Sequence, residues 1–314
     1  LCTGIGFEPF RYLYVFFIPW ESLSFALAQH PLQTTKGRSS TRRQPLQVVL
    51  RSAGERTDAV SHAYHLRSFP TIQMKCGPGR SNLENTLATL QELAGSQGPF
   101  LMLDPDILIT NPTRVLEIAR RVERDGSYVK LRQWCRYFGP VYRGAYLFST
   151  AFMDTLGALA RQASAEQEPS LRVRPLRPLI VRACEIHQIP LQQEADKPIT
   201  GTHDFFQFRQ HIFHKMFVRS WRETPEMLQP YVWEWQHSTD LDFRVAASGL
   251  RSGSKAPPQD LRYEDVDALF QQLGIEEYPA HLTESELEMF SKTCRHILGN
   301  TSETAVSILG ELSG

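Results

Sequence analysis

The chain is organised around residues 100–109 (FLMLDPDILI), an apolar run interrupted by two carboxylates, Asp104 and Asp106. Runs this short and this hydrophobic form strands buried on both faces, as in the parallel sheet of an α/β domain. A bare carboxylate in such a place is costly. The acids therefore belong at the strand's C-terminal end, where the sheet opens into a crevice and a cation can meet them. Oxygen donors of this kind suit Mg²⁺ or Mn²⁺, which take one or two carboxylates and complete their shell with water and substrate phosphates. Asp and Pro are also turn formers, so the same residues read equally well as a strand-terminating turn.

Strand–helix alternation surrounds this motif. Residues 47–50 (QVVL) read as a β-branched strand running into RSAGERT, residues 51–57, where Ser52 and Glu55 have capping-box spacing for a helix reaching about residue 67. Backbone N–H groups at that helix start, beside Arg51 and Arg56, suit a nucleotide's anionic groups, although a capped helix with solvated arginines gives the same pattern. A second strand, residues 71–75 (TIQMK), is followed by a Gly-Pro-Gly turn. A capping box from Ser81 to Glu84 then opens a helix with Leu83, Leu87, Leu90 and Ala94 on one face. Beyond the motif, Asn111 is an N-cap with Pro112 behind it, and Gly126 is a helix terminator. Three such units predict an α/β domain, a parallel sheet wrapped by helices.

RSAGERT after the first strand, an amphipathic helix and then FLMLDPDILITNP together resemble a nucleotide-sugar-dependent glycosyltransferase of the GT-A fold, nearest the bacterial family 2-like enzymes. The resemblance covers roughly residues 47–221. It implies a Rossmann-like, mixed but mostly parallel sheet flanked by helices, with a small helical C-terminal region. It also implies that Arg51, Ser52, Gly54, Glu55, Arg56 and Thr57 form the nucleotide loop, with Lys75 on the donor side. Asp104 and Asp106 become the D-x-D pair that holds Mn²⁺ or Mg²⁺ against the diphosphate of a UDP- or GDP-sugar. Asp106 would carry the catalytic metal contact and Asp104 would meet donor ribose or a metal-bound water.

By the same resemblance, an aromatic and basic stretch, residues 134–143, falls on the acceptor side, where a glycan, lipid-linked or small-molecule acceptor would sit. A core-lining loop explains it equally well. A late His or Asp often completes such a metal site, which singles out His203 in ITGTHD; Asp204 reads better as a helix N-cap. The enzymes of this fold that invert the anomeric centre place an acidic base in the region of Glu185, with Glu166 and Glu168 as substitutes, but no clean acidic motif stands there. His211 and His214 lack a third partner at zinc spacing. Phe206, Ile212, Phe213, Met216 and Phe217 form a core stripe.

The remaining sequence sets bounds. The 314 residues contain 34 basic and 34 acidic side chains, which excludes a global attraction to nucleic acid. Five scattered cysteines without a CxxC argue against a disulfide framework or zinc cluster and fit a reducing, cytoplasmic setting. The apolar segment 10–20 is interrupted by Arg11 and Pro19 and is too short to span a bilayer; it reads as a packed extension, with peripheral membrane contact as the alternative. The expected organisation is an extension and linker (1–44), the GT-A domain (45–245), and a Gly/Ser/Pro linker with C-terminal helices (246–314) that pack on the domain or on a second copy in a homodimer. A nucleotidyltransferase on the same fold, or a non-catalytic relative that binds nucleotide-sugar or a partner, are the alternatives to sugar transfer.

Overall fold

The computed structural model describes residues 45–52, 56–75, 82–166, 176–191, 198–255, 263–298, 307–309 and 311–312. At 52, 72–75, 82, 164–166, 263, 264 and 298 only the backbone is described. The expected extension and linker over residues 1–44 lie outside this set. The chain begins with β1 (Gln47–Ser52), α1 (Asp58–Leu66), β2 (Thr71–Lys75), α2 (Asn82–Leu93), β3 (Phe100–Leu103), β4 (Leu108–Ile109) and α3 (Pro112–Asp125). Four strands follow, β5 (Tyr128–Lys130), β6 (Gln133–Cys135), β7 (Gly139–Val141) and β8 (Ala145–Phe148), then α4 (Thr150–Glu166), α5 (Leu176–His187) and β9 (Gly201–His203). The rest is helical: α6 (Arg209–Arg219), α7 (Pro225–Gln236), α8 (Leu241–Gly253), α9 (Tyr263–Gln271) and α10 (Glu284–Leu298).

The fold is α/β, with one five-stranded sheet ordered β2-β1-β3-β8-β5 and a four-stranded sheet ordered β4-β9-β6-β7. The expectation of a mostly parallel sheet is corrected. β1 pairs parallel with β2 and β3, but β8 runs antiparallel to both β3 and β5. The cause is the connection: between β5 and β8 the chain makes only the β6–β7 excursion, and a parallel neighbour would need a crossover helix.

β3 is buried on both faces. Phe100 and Met102 pack with Leu90, Phe152, Leu156 and Ile180 on one side, while Leu101 and Leu103 pack with Val115, Ile118 and Val122 of α3 on the other. The alternation of strand side chains sends successive residues to opposite cores, and each fully buried Leu or Phe contributes about 1.5–3 kcal/mol relative to exposure. The acids that follow form a turn, closed by Ile107 N donating to Asp104 O at 3.0 Å. That turn passes the chain from the five-stranded sheet to the four-stranded one.

Local signals fared unevenly. Asn111 caps α3, its Oδ1 accepting from Arg114 N at 3.0 Å, and Gly126 ends it at φ 61°. Thr283 and Glu286 form the reciprocal capping box of α10. Ser52 and Glu55 do not open α1: Ser52 ends β1, and the helix starts at Asp58 behind Thr57, which makes no side-chain cap. The linker expected from residue 246 is also corrected, because α8 spans the proposed boundary and its Val245, Ala246, Ala247 and Leu250 are buried. The small residues there mark close helix packing. A Cβ on Gly249 would meet Phe213 O of α6 at 2.5 Å, and one on Gly253 would meet Phe217 O more closely still. Residues 42–314 accordingly form a single compact unit. Among the described residues no helix is long and apolar enough to cross a membrane.

Candidate functional site

Parallel pairing of β1 with β3 sets Leu50 against Leu103, so the next residues, Arg51 and Asp104, emerge side by side. They form an ion pair, and Arg51 Nη1 also donates to Thr86 Oγ1 at 3.3 Å. Behind the pair lies Gly144 at φ +68°, whose carbonyl accepts from Asp104 N at 3.1 Å. A Cβ at this position would stand 2.6 Å from Asp104 Oδ2, so only glycine lets the carboxylate lie here.

Asp106 is buried. It faces residues delivered by β9 and α6. β9 approaches β4 closely because Gly201 has no Cβ to strike Leu108 O, and β6 runs parallel to β9 with Cys135 opposite His203. Asp106 Oδ2 accepts hydrogen bonds from Gln207 Nε2 and Lys215 Nζ and lies 3.5 Å from His203 Nε2. Asp204 Oδ1 accepts from Lys215 at 3.1 Å and Gln207 at 3.3 Å, and its Oδ2 accepts from Cys135 Sγ at 2.9 Å and lies 3.2 Å from His203 Nδ1. The loop that presents these groups is strained: Asp204 has φ 64° and Phe206 φ 58°. Non-glycine residues held there cost about 1–3 kcal/mol each and mark functional positions.

Lys215 is shared between the two carboxylates of this cluster. Burial alone would raise the Asp204 pKa, but the charges of His203 and Lys215 and the hydrogen bonds from Cys135 and Lys215 outweigh it and hold the carboxyl well below its usual range. Burial would likewise lower the Lys215 pKa, and Asp106 and Asp204 instead hold the ammonium well above the ordinary lysine value. Within this cluster Asp106 Oδ1, His203 Nδ1 and Gln207 Oε1 are buried without a hydrogen-bond partner. Buried polar atoms are nearly always satisfied, so three orphans in one cluster point to an absent ligand.

The expected site residues divide. Arg51 and Asp104 meet in one ion pair, while Asp106 and His203 belong to the second network, so the expected metal set of Asp104, Asp106 and His203 is split between them. Arg56 is corrected outright as a nucleotide ligand. Its buried guanidinium pairs with Glu286, donates to Pro279 O at 2.7 Å and His281 O at 2.5 Å, and lies 4.8 Å from the Tyr278 ring centroid. It fastens the C-terminal segment instead. Thr57 is buried at the start of α1. Gly54 and Glu55, the side chains of Ser52, Lys75 and Glu166, and Glu168 lie outside the described residues.

Glu185 is exposed and pairs with Arg182 one turn away on α5, so its reading as the base is corrected to a surface ion pair. Asp204 is not an N-cap: α6 begins five residues later, and its first two N–H groups are taken by Glu277, Arg209 N at 2.6 Å and Gln210 N at 2.8 Å. The aromatic stretch is core-lining, with Tyr137 against Trp235 and Phe243 and Phe138 against Tyr231. Cys135, Gln207 and Lys215 were not singled out in sequence. The only pointer to Lys215 is a lone cation beside the apolar stripe of α6, a pattern that solvated lysines share.

The two networks together present a carboxylate–guanidinium pair at the strand end and, immediately beyond it, a buried Asp–His–Asp–Cys cluster capped by the half-exposed Lys215, which can compensate an anion and bind a cation. No protein-family model, curated protein or solved structure matches this chain.

Proposed function

We propose that the chain binds a nucleotide-sugar donor at the end of β3 and transfers its sugar to an acceptor hydroxyl. The observation that carries this reading is the placement of Asp104 and Asp106 where β3 leaves its sheet, with Arg51 of β1 beside the first and Lys215 of α6 beside the second. Sheet crevices at strand C-termini are where α/β domains take their ligands. Hard oxygen donors fit Mn²⁺ or Mg²⁺: the Asp104 side chain is 34% exposed, and Asp106 keeps one buried oxygen, Oδ1, without a partner. Asp104 and Asp106 stand in separate but adjoining networks, both raising the Lys215 pKa, and would hold the ion between them; when bound it neutralises charge on the leaving diphosphate. Arg51 beside Asp104 and Lys215 beside Asp106 add two cations, so the diphosphate of a UDP- or GDP-sugar would meet positive charge from β1 and from α6. His203 is no longer part of the oxygen site in this reading, because its Nδ1 faces Asp204.

A second reading, donor binding without turnover, is favoured by one observation: the acid expected to act as base, Glu185, sits in a solvent-exposed ion pair. Donor hydrolysis across a panel of nucleotide-sugars, with Mn²⁺ and with EDTA, separates the two. Metal-dependent release of free sugar supports transfer. Nucleotide-sugar binding with no release under any condition supports the binding module and overturns transfer.

A further inference from the structure

The buried group beneath the carboxylate turn has a different chemistry from the turn itself. Cys135, His203 and Asp204 are all buried, and one donor atom from each lies within 4.8 Å of the other two. Sγ of Cys135 is 2.9 Å from Asp204 Oδ2, and Nδ1 of His203 is 3.2 Å from the same oxygen. We propose that these three residues bind a borderline transition metal of the Zn²⁺ or Co²⁺ class, rather than Mg²⁺.

Three features aim the group at a metal. His203 is 7% exposed, and its Nδ1 has no hydrogen-bond partner although it faces the thiol–carboxylate pair. The second nitrogen of His203 lies 3.5 Å from Asp106 Oδ2, so the ring sits between a metal position and a carboxylate, as metal-bound histidines do. Last, Lys215 and Gln207 engage the other oxygen of Asp204, which leaves Oδ2 pointing at sulfur and imidazole.

The backbone builds this set before any metal arrives. Cys135 and His203 are register partners in the parallel β6–β9 pair, and Arg136 N donates to His203 O at 3.0 Å. The strained φ of Asp204 then folds its side chain back toward both. One sulfur, one nitrogen and one oxygen donor select Zn²⁺ or Co²⁺ over the hard, all-oxygen ions. On binding, the metal takes the place of the thiol proton, which leaves to solvent. Three protein ligands leave a fourth position for water or a substrate atom, as in catalytic rather than structural zinc sites.

The site does not depend on sugar transfer, and its test uses no nucleotide, so the two claims fail separately. The full-length chain, stripped with a chelator, is titrated with Co²⁺ and its visible spectrum recorded. One Co²⁺ per chain is expected, with d–d bands and a thiolate-to-cobalt charge-transfer band, displaced by Zn²⁺ but not by a large excess of Mg²⁺. Cys135→Ser should abolish the charge-transfer band, His203→Gln should weaken Co²⁺ binding by about 10-fold or more, and Cys294→Ala, a buried cysteine in a different cluster, should change neither. Far-ultraviolet circular dichroism confirms that each variant is folded; if Cys135→Ser is not, His203→Gln carries the test alone. Absence of the charge-transfer band in the parent, its survival in Cys135→Ser, undiminished binding by His203→Gln or displacement by Mg²⁺ overturns the site.

Discussion

Cys135 and Asp204 stand 69 positions apart in the chain and 2.9 Å apart in space, thiol against carboxylate, because β6 and β9 run parallel with Cys135 opposite His203. That pairing makes the buried cluster, and most of the expected responses to mutation follow from who neutralises whom within it.

Asp106→Asn and Asp104→Asn should differ in stability. An empty pair of neighbouring acids would repel, and removing either charge would then be harmless. Here Asp106 is the buried partner of Lys215, and its loss leaves the ammonium with Asp204 alone. Asp106→Asn should cost about 1–3 kcal/mol. Asp104 meets Arg51 in a partly exposed pair, so Asp104→Asn should cost about 0–1 kcal/mol. Urea denaturation in EDTA compares them; equal midpoints would contradict the assignment of Lys215 to Asp106.

Arg56→Ala should unfold the protein more readily without touching the mouth of the sheet. The guanidinium is buried against Glu286, and removing it strands that carboxylate, a loss of about 3–5 kcal/mol. Arg56→Ala with Glu286→Gln should recover part of the loss. Thermal melts of the single and double variants check this, and a melting point unchanged in Arg56→Ala would refute the anchoring role.

Gly144→Ala should disturb Asp104 before it disturbs the fold. The left-handed φ costs alanine about 1–2 kcal/mol, and the new Cβ meets Asp104 Oδ2 at 2.6 Å. Nucleotide affinity should fall together with a small drop in melting temperature; normal affinity would place the ligand elsewhere.

The pH dependence of stability should carry the signature of His65. Burial pushes its pKa down from 6.5 to about 4, and the nearby His62 adds to the effect. Its Nδ1 bonds Ser61 O at 2.7 Å while Nε2 accepts from Ile109 N at 3.4 Å, so protonation would set N–H against N–H. The folded pKa lies below the unfolded one. The unfolded chain therefore binds the extra proton between these values, and stability is full above about pH 6.5 and falls as pH drops toward 4, by about 3 kcal/mol in all. His65→Gln should flatten that part of the profile; an unchanged slope would assign it to other groups.

Much of this framework is legible in the sequence, and the misses have physical causes. The apolar run of β3, the Asn111-Pro112 helix start and the Gly126 helix terminator are local patterns, and each forms as its spacing dictates. The antiparallel β8 is not visible locally, because strand direction depends on how the chain returns and not on the residues of the strand. Arg56 and Glu185 look alike in sequence, charged residues near helices, yet one is buried by a segment more than two hundred positions away and the other is solvated. The glycines and serines of α8 imitate a linker because close packing against α6 needs the same small residues. His203 is identifiable from its place at a strand end, whereas Cys135 becomes its neighbour only through tertiary register.

The most direct measurement of the central claim is calorimetry of the full-length chain with UDP and GDP, in Mn²⁺ and in EDTA, for the parent and Asp106→Asn. The account predicts that one nucleoside diphosphate binds, at least about 10-fold tighter with Mn²⁺, and that Asp106→Asn loses this metal-dependent gain. Equal affinity in Mn²⁺ and EDTA, or a full metal-dependent gain retained by Asp106→Asn, would contradict the reading of the β3 turn as a donor site.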